Sequence, residues 1–280
     1  MSYNIYMVNW KRKEKKFRKK HKVGLCLSGG GTRGFAFLGV FKAFEENGIT
    51  FDMVAGTSVG SLFGAMYSAG LTYEEMLKYA SKLKTNDFKR TKLAFLPSKL
   101  DGLQNIINSI LPDQRIEDLS LPFFAVAVDL RTGKEVDFSS GELAPILAGS
   151  CSVPWVFVPV KYKNMLLVDG MVLNNVPADV LLDNGCDYVV TVDCNSSRVK
   201  GTNSNNIFTL AFTSMNIMMS NTSSKGKKIS DILIELDLSK FSPMSVKGRE
   251  EMIEIGYNAT IKKIDEIKAL FTGGFNKKKK

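Results

Sequence analysis

One short stretch of the sequence, residues 53–60, reads Met-Val-Ala-Gly-Thr-Ser-Val-Gly and indicates how the chain folds. The apolar run 53–57 predicts a buried strand, and the small residues after Ser58 predict a helix. Ser58 itself lies in a Gly-x-Ser-x-Gly motif, flanked by Gly56 and Gly60. A serine at such a strand-to-helix turn is raised above the sheet edge, where its hydroxyl is available as a nucleophile.

A second glycine cluster occupies an equivalent position earlier in the chain. Residues 23–28 predict another strand, and the loop that follows consists of Gly29, Gly30, Gly31, Thr32, Arg33 and Gly34. The Gly-x-Gly-x-x-Gly spacing resembles a dinucleotide-binding loop, but the next strand ends in Thr57 and Ser58, without the acid that binds ribose. We therefore expect the loop N–H groups to stabilise an oxyanion beside Ser58. Arg33 would attract an anionic head group or orient the loop.

Strands alternate with helices along the rest of the sequence. Further strands are predicted at residues 123–129, 134–138, 166–168, 188–193 and 232–236. Helices are predicted at residues 33–47, 58–70, 73–83, 103–111, 178–184, 207–219 and 247–271. This alternation is typical of an α/β fold with a mostly parallel central sheet flanked by helices. We expect a single domain at residues 23–271, between a basic N-terminal arm, residues 1–22, and a basic C-terminal tail, residues 272–280.

The base that would activate the serine is harder to identify, because the sequence contains a single histidine, His21. His21 precedes the first predicted strand, so a Ser-His-Asp triad at Ser58 is not expected. A carboxylate at a strand end is then the simplest base, and Asp169, which is followed by a glycine, fits best. Two other acids end predicted strands and remain alternatives, Asp129 and Asp193.

Together these segments resemble the patatin-like phospholipase family over residues 23–271. The matching motifs are Gly56 to Gly60, the loop 29–34, Asp169-Gly170, and the runs 150–154, 157–159 and 174–177. The resemblance implies a serine acyl hydrolase of the phospholipase A or lysophospholipase type, with a Ser58–Asp169 dyad and an oxyanion site at the glycine loop. Met171 is a departure, because the family has Gly or Ala there, and it can narrow the acyl pocket.

The substrate class that the resemblance implies is glycerophospholipid or another fatty-acyl ester. No cluster of His, Cys and Asp has the spacing of metal ligands, so neither a metal nor another cofactor is expected. The main alternative to an enzyme is a non-catalytic protein that holds lipid at a membrane surface and binds it with basic arms.

The charge of the chain is concentrated in its arms. The sequence has 38 Lys and Arg against 28 Asp and Glu, a net charge of +10. Residues 11–22 hold nine basic residues and one acid, and residues 277–280 are all lysine. Such blocks favour an anionic membrane surface; nucleic acid is not an expected partner, because no recognition motif accompanies the charge.

Composition places the protein among ordinary globular chains, with 44% hydrophobic and 24% charged residues, which excludes wholesale disorder. The four cysteines form no Cys-x-x-Cys pair, which favours reduced thiols in a reducing compartment. No segment predicts a transmembrane helix. We therefore expect a cytoplasmic protein that acts peripherally at a membrane.

Overall fold

The computed structural model describes residues 21–81, 101–195 and 203–275. Most of the two basic arms lies outside the described residues, and so do the last two residues of the helix predicted at 73–83. The membrane role expected of the arms therefore stays a prediction from their sequence.

Within the described ranges, eight strands form one sheet. They are β1 Val23–Leu27, β2 Met53–Thr57, β3 Phe123–Asp129, β4 Lys134–Phe138, β5 Val160–Tyr162, β6 Met165–Asp169, β7 Tyr188–Asp193 and β8 Ile232–Glu235. The order is β5-β6-β3-β2-β1-β7-β8, with β4 paired to β3. Strands β3, β2, β1, β7 and β8 are parallel, whereas β4, β5 and β6 pair antiparallel. The predicted α/β fold with a mostly parallel sheet is confirmed.

Nine α-helices flank this sheet in the described part of the chain. They are α1 Ala36–Glu46, α2 Val59–Ser68, α3 Tyr73–Ala80, α4 Asp101–Ile110, α5 Leu143–Ser150, α6 Ala178–Asp183, α7 Ile207–Ile229, α8 Arg249–Ile261 and α9 Ile264–Thr272. Short 3-10 turns occupy Gly31–Phe35, Ile116–Asp118 and Gly170–Val172. Helix α5 was not expected from the sequence, and α7 continues ten residues beyond its predicted end.

The prediction of one closing helix at residues 247–271 is wrong. Helix α8 ends at Ile261, and α9 begins at Ile264 after a break at Lys262 and Lys263. The buried residues Met252, Gly256, Thr260, Ile264 and Ile267 keep a spacing of three to four residues across the break. Periodicity alone therefore gives no signal of where one helix stops and the next begins.

The two faces of the sheet are covered by different helices. The side chains of Val23, Leu25 and Leu27 in β1 join the large core on the face packed with α1 and α2. Cys26, between them, points to the opposite face and joins a smaller cluster with Leu181 of α6. This alternation is the period of two that a strand buried on both faces requires.

Pairing along one edge of β3 brings two strand ends together. Strand β2 pairs in parallel with residues 123–126, and β6 pairs antiparallel with residues 127–129. Strand β4 pairs with residues 125–129 and so occupies the other edge of β3. Strands β2 and β6 therefore run toward each other along the same edge, and their carboxyl ends, Thr57 and Asp169, meet opposite Val126 and Ala127.

The close packing of α1 on α8 gives a test of the fold. A Cβ at Gly39 would overlap the backbone carbonyl of Ile253, so Gly39→Ala must push the helices apart. We expect it to lower the free energy of unfolding by about 1–3 kcal/mol in urea denaturation. Gly102→Ala in α4 is the control, because a Cβ there meets no atom within 4 Å, and it should leave stability unchanged or raise it by up to about 1 kcal/mol. Equal stability of both variants would contradict this packing.

Candidate active site

Ser58 occupies the sharp turn between β2 and α2 that the sequence predicts. Its backbone has φ 55° and ψ −129°, a conformation that side chains rarely adopt and that stores strain at functional sites. The Ser58 N–H donates to Ser150 Oγ at 2.9 Å, and Ser150 Oγ donates to the Val126 carbonyl at 2.6 Å. Ser150 therefore ties the strained turn to β3, and Ser58 itself is only 5% exposed.

The glycines on either side of Ser58 serve close packing of the turn. A Cβ at Gly56 would overlap the backbone of Gly60, and a Cβ at Gly60 would overlap the carbonyl oxygen of Leu27. Helix α2 can therefore begin directly above the sheet edge only when both positions lack a side chain. This is the structural role that the Gly-x-Ser-x-Gly motif predicts.

Asp169 lies at the end of β6 with its carboxylate fully buried. Its Oδ1 accepts a hydrogen bond from the Met171 N–H at 2.9 Å, whereas Oδ2 has no hydrogen bond of regular geometry among the described residues. Burial raises the pKa of Asp169 from its ordinary value to about 7, and hydrogen bonding from the Ser58 hydroxyl and the Met171 N–H opposes that rise. The carboxyl group is thus a base of near-neutral strength that faces the Ser58 hydroxyl.

The residues after Asp169 shape its turn. A Cβ at Gly170 would lie 2.5 Å from the Val126 carbonyl oxygen, so the close approach to β3 requires glycine. Met171 is buried, and it binds Asp169 through its backbone N–H, which most residue types would supply equally well. The Met171 carbonyl accepts a hydrogen bond from Thr222 of α7 at 2.8 Å. A narrowing of the acyl pocket by the Met171 side chain stays a prediction.

The two alternative acids are already engaged elsewhere. Asp129 accepts hydrogen bonds from the backbone of Leu166 and Arg131, and these contribute to lowering its pKa. Asp193 is buried and forms an ion pair with Lys227 at 2.9 Å. Among the described residues, neither carboxylate has an oxygen like Asp169 Oδ2, which faces the Ser58 hydroxyl without a hydrogen bond of regular geometry, so the geometry favours Asp169 as the base.

His21 lies at the amino ends of the parallel strands, whereas Ser58 lies at their carboxyl ends. It precedes β1, whereas Ser58 follows β2, and these strands are parallel, so the length of a strand, about 17 Å, separates them. The imidazole lies 3.9 Å from Asp187 and packs edge-on against the Tyr188 ring. The position of His21 agrees with its exclusion from a triad.

The glycine loop follows β1 and lies beside the turn that holds Ser58. Its anchoring groups bond to protein carbonyls: the Gly29 N–H to Asn175 at 3.2 Å, and the Thr32 N–H to Pro243 at 2.9 Å. The Thr32 hydroxyl bonds to the carbonyls of residues 242 and 245. Gly34 packs against the Val59 side chain, with no space for a Cβ. The N–H groups of Gly30 and Gly31 have no acceptor among the described residues, so they are the loop donors available to an oxyanion.

Arg33 orients the loop. Its guanidinium donates to the Phe241 carbonyl at 3.1 Å and to the Asn195 side chain at 3.2 Å. Burial lowers the pKa of Arg33, which is half-buried. Of the two roles expected for this residue, orientation of the loop has direct contacts in the structure.

Several residues that support the site were not predicted as site residues. The Asn195 amide and the Cys194 thiol both donate to the carbonyl of Gly29. Asn175 donates from its side chain to Ser223 of α7 at 3.0 Å while its own carbonyl holds Gly29. These contacts join positions far apart in sequence, and only the run 174–177, noted in the family resemblance, gave any signal of them.

Cys151 is a further neighbour of the proposed nucleophile. Its thiol interacts with the hydroxyls of Ser58 and Ser61 and lies in the field of Asp169. Burial, with the negative charge of Asp169, raises the pKa of the thiol, so Cys151 stays neutral beside the site. Among the described residues, no group of three His, Cys, Asp or Glu side chains is arranged to hold a metal ion.

The fold and site define an α/β protein with a strained serine above a sheet edge, facing a buried carboxylate. The patatin-like phospholipase family matches residues 25–182, more than half of the chain, so the chain belongs to that family.

The chain is similar to longer proteins. It is 31% identical over 188 residues to patatin-like phospholipase domain-containing protein 6 of Mus musculus, covering 62% of this chain and 14% of that one. It is 32% identical over 185 residues to an uncharacterized NTE family protein of Mycobacterium tuberculosis, covering 63% of this chain and 50% of that one. The chain thus spans half or less of the length of these relatives.

Solved structures share the fold at low identity. VipD from Legionella pneumophila aligns with a TM-score of 0.54 and 16% identity, covering 88% of this chain and 67% of that one. Human GIVD cytosolic phospholipase A2 aligns with a TM-score of 0.53 and 12% identity, covering 90% of this chain and 60% of that one. At such identities the likeness establishes the fold alone.

The raised pKa of Asp169 predicts how stability changes with pH. The unfolded chain loses this proton near pH 4, whereas the folded protein keeps it up to about pH 7. Stability should therefore fall as pH rises from about 4 to 7, because the folded state binds the extra proton. Asp169→Asn, which stays neutral, should be more stable than wild type at pH 8 by at most about 4 kcal/mol, and equal to it near pH 4.

Urea denaturation at the two pH values measures this difference. Asp129→Asn is the matched control and should show the opposite sign, because the hydrogen bonds to Asp129 favour its charged form. An Asp169→Asn protein less stable than wild type at pH 8 would contradict the burial argument.

Proposed function

We propose that this chain hydrolyses fatty-acyl lipid esters, with Ser58 as the nucleophile and Asp169 as the base. The observation that carries the proposal is the buried Asp169 carboxylate, which faces the hydroxyl of a serine held in a strained turn. An Asp at its ordinary pKa, near 4, is a weak base at neutral pH, and a pKa of about 7 makes proton transfer from serine less unfavourable.

In the proposed reaction, the two side chains and the glycine loop act in sequence. Ionised Asp169 accepts the Ser58 proton as Ser58 Oγ attacks the ester carbonyl, and the N–H groups of Gly30 and Gly31 stabilise the oxyanion. Collapse of the tetrahedral intermediate breaks the ester bond, and Asp169 returns the proton to the departing alcohol. Water then attacks the acyl-enzyme while Asp169 accepts its proton. Asp169 passes this proton to Ser58 Oγ as the acyl bond breaks, which releases a fatty acid and regenerates the Ser58 hydroxyl.

The proposed substrates are glycerophospholipids, cleaved as by a phospholipase A or a lysophospholipase. Membership of the patatin-like phospholipase family supports this class. Names of the similar proteins, a phospholipase domain-containing protein and a phospholipase A2, point in the same direction. Products from a mixed phospholipid extract, separated by mass spectrometry, would identify the lipid and the acyl position.

Removing either member of the proposed dyad should abolish hydrolysis. We expect Ser58→Ala and Asp169→Asn each to lower kcat on a p-nitrophenyl ester by about a thousandfold or more, with an unchanged circular dichroism spectrum. The double variant should be little worse, because the two residues act as one unit. Near-normal activity of Asp169→Asn would mean that another group is the base.

A fluorophosphonate probe tests the nucleophile directly. The wild-type protein should become labelled at Ser58, and Ser58→Ala should not, whereas the exposed-helix variant Ser109→Ala should label like wild type. Intact folding without labelling would favour the non-catalytic lipid-binding protein instead.

The pH dependence of the reaction reports the base. Because Asp169 must be ionised, kcat/KM on a soluble ester should rise as pH passes about 7 and level off above it. His21→Ala is the control, since histidine is the other side chain that commonly acts as a base in this pH range. We expect His21→Ala to keep both the rate and the inflection. Loss of the inflection in that variant would assign the base to the imidazole.

A further inference from the structure

Helix α7 carries an apolar surface that the rest of the described structure leaves exposed. The apolar face of α7 consists of Ile207, Leu210, Ile217 and Met218, which are 69%, 39%, 55% and 50% exposed. At 3.6 residues per turn these four side chains fall within an arc of about 100°. The arc is roughly opposite Ser223 and Gly226, which are buried against the protein. Exposure of four large apolar side chains on one arc is unusual for a surface helix.

The same helix is bonded to the candidate active site. One turn beyond the apolar face, the Thr222 hydroxyl donates to the carbonyl of Met171, whose N–H binds Asp169. Ser223 Oγ accepts from Asn175, whose carbonyl holds the glycine loop. The apolar face therefore ends, at Met218, about one helical turn from the contacts that α7 makes with the site.

Two neighbouring segments add further apolar side chains to this edge. Trp155 is 60% exposed and has φ 64°, a strained conformation for a bulky residue. Its loop is held at the site by a hydrogen bond from the Asp169 N–H to the carbonyl of Ser152. Leu173, four residues after Asp169, is 43% exposed. Of nine exposed large apolar side chains in the described part of the chain, seven lie on these segments and on α7, so the exposure is concentrated around the site.

The charge around α7 identifies the kind of partner. Residues 194–230 contain five basic residues and no acid, and residues 201–224 contain no charge at all. Lys225 is already paired with Asp179, and Lys227 with Asp193 and Glu235. The uncharged stretch of α7, and not a basic flank, is therefore what fits the helix to lipid. Tryptophan prefers the boundary between head groups and acyl chains. Of the helices described, none has the length and apolar content needed to cross a bilayer.

We propose that the apolar face of α7, together with Trp155 and Leu173, docks on the surface of a phospholipid bilayer. This surface deepens the proposed function, on which its link to substrate rests, because it places Ser58 next to lipid. A second copy of the chain on this surface would cover the same edge and exclude a membrane substrate. Docking itself requires no hydrolysis, so the two can be tested separately.

The experiment uses the full chain with Ser58→Ala, which keeps the vesicles intact, and Trp10→Phe, which leaves Trp155 as the remaining tryptophan. Vesicles contain phosphatidylcholine and phosphatidylglycerol with brominated acyl chains. Trp155 emission should shift to shorter wavelength and be quenched. Quenching should persist at roughly 1 M salt, where the Debye length of about 3 Å suppresses attraction by the basic arms.

Matched variants locate the contact. Leu210→Glu combined with Ile217→Glu should weaken vesicle partition about tenfold or more, because each places a charge on the buried side of the contact. Ile261→Glu, at an exposed apolar position on α8, should bind like the parent. Absence of Trp155 quenching, or equal binding by the glutamate pair and the control, overturns the proposal. Concentration-dependent dimerisation without vesicle binding overturns it in favour of a second copy.

A last comparison separates docking from chemistry. With Ser58 restored, the glutamate pair should hydrolyse a monomeric soluble ester at the wild-type rate and lose activity on vesicles in proportion to lost binding. Failure of the wild-type protein to hydrolyse any ester would overturn the proposed function, while vesicle docking by the Ser58→Ala protein would still stand.

Discussion

The meeting of β2 and β6 on one edge of β3 is the constraint on which the site depends. A parallel strand ends at Thr57 and an antiparallel strand ends at Asp169, with Val126 and Ala127 as their successive partners. Backbone pairing by itself therefore places the serine turn next to the aspartate turn. The contacts of Ser150 and Gly170 with Val126 then fix both turns to the same residue of β3.

Burial of Asp169 raises its pKa and also destabilises the fold. Desolvation raises the pKa of Asp169, which strengthens it as a base, but the same burial leaves its Oδ2 without a hydrogen bond of regular geometry in the described structure. An ionised oxygen in that position destabilises the fold. The strained backbone of Ser58 adds to this cost. Dense packing around the two turns is what holds these unfavourable conformations in place, and it explains why glycine is needed at positions 56, 60 and 170.

Much of this arrangement follows from local sequence patterns. The strands at residues 53–57 and 188–193, the turn at Ser58 and the aspartate that ends β6 are visible because apolar runs, glycines and polar strand ends lie close together in sequence. The antiparallel direction of β6 is not visible, since a three-residue apolar run carries no sign of its partner. The roles of Asn175, Cys194 and Asn195 depend on contacts with a loop about 150 residues away. Local periodicity cannot encode such contacts.

Helix α7 shows how one element can serve two physical purposes. Its last turns follow no apolar pattern, yet Ser223 and Gly226 are buried there, because Ser223 accepts a hydrogen bond from the Asn175 side chain and Gly226 closely approaches the backbone of Val176. Its first turns have the opposite character, with large apolar side chains and no packing partner in the described structure for most of their surface. The polar half is satisfied by the site, so the apolar half can remain exposed without loosening the catalytic edge. The surface proposed to meet lipid and the turn that holds Asp169 are in this way joined by a single helix.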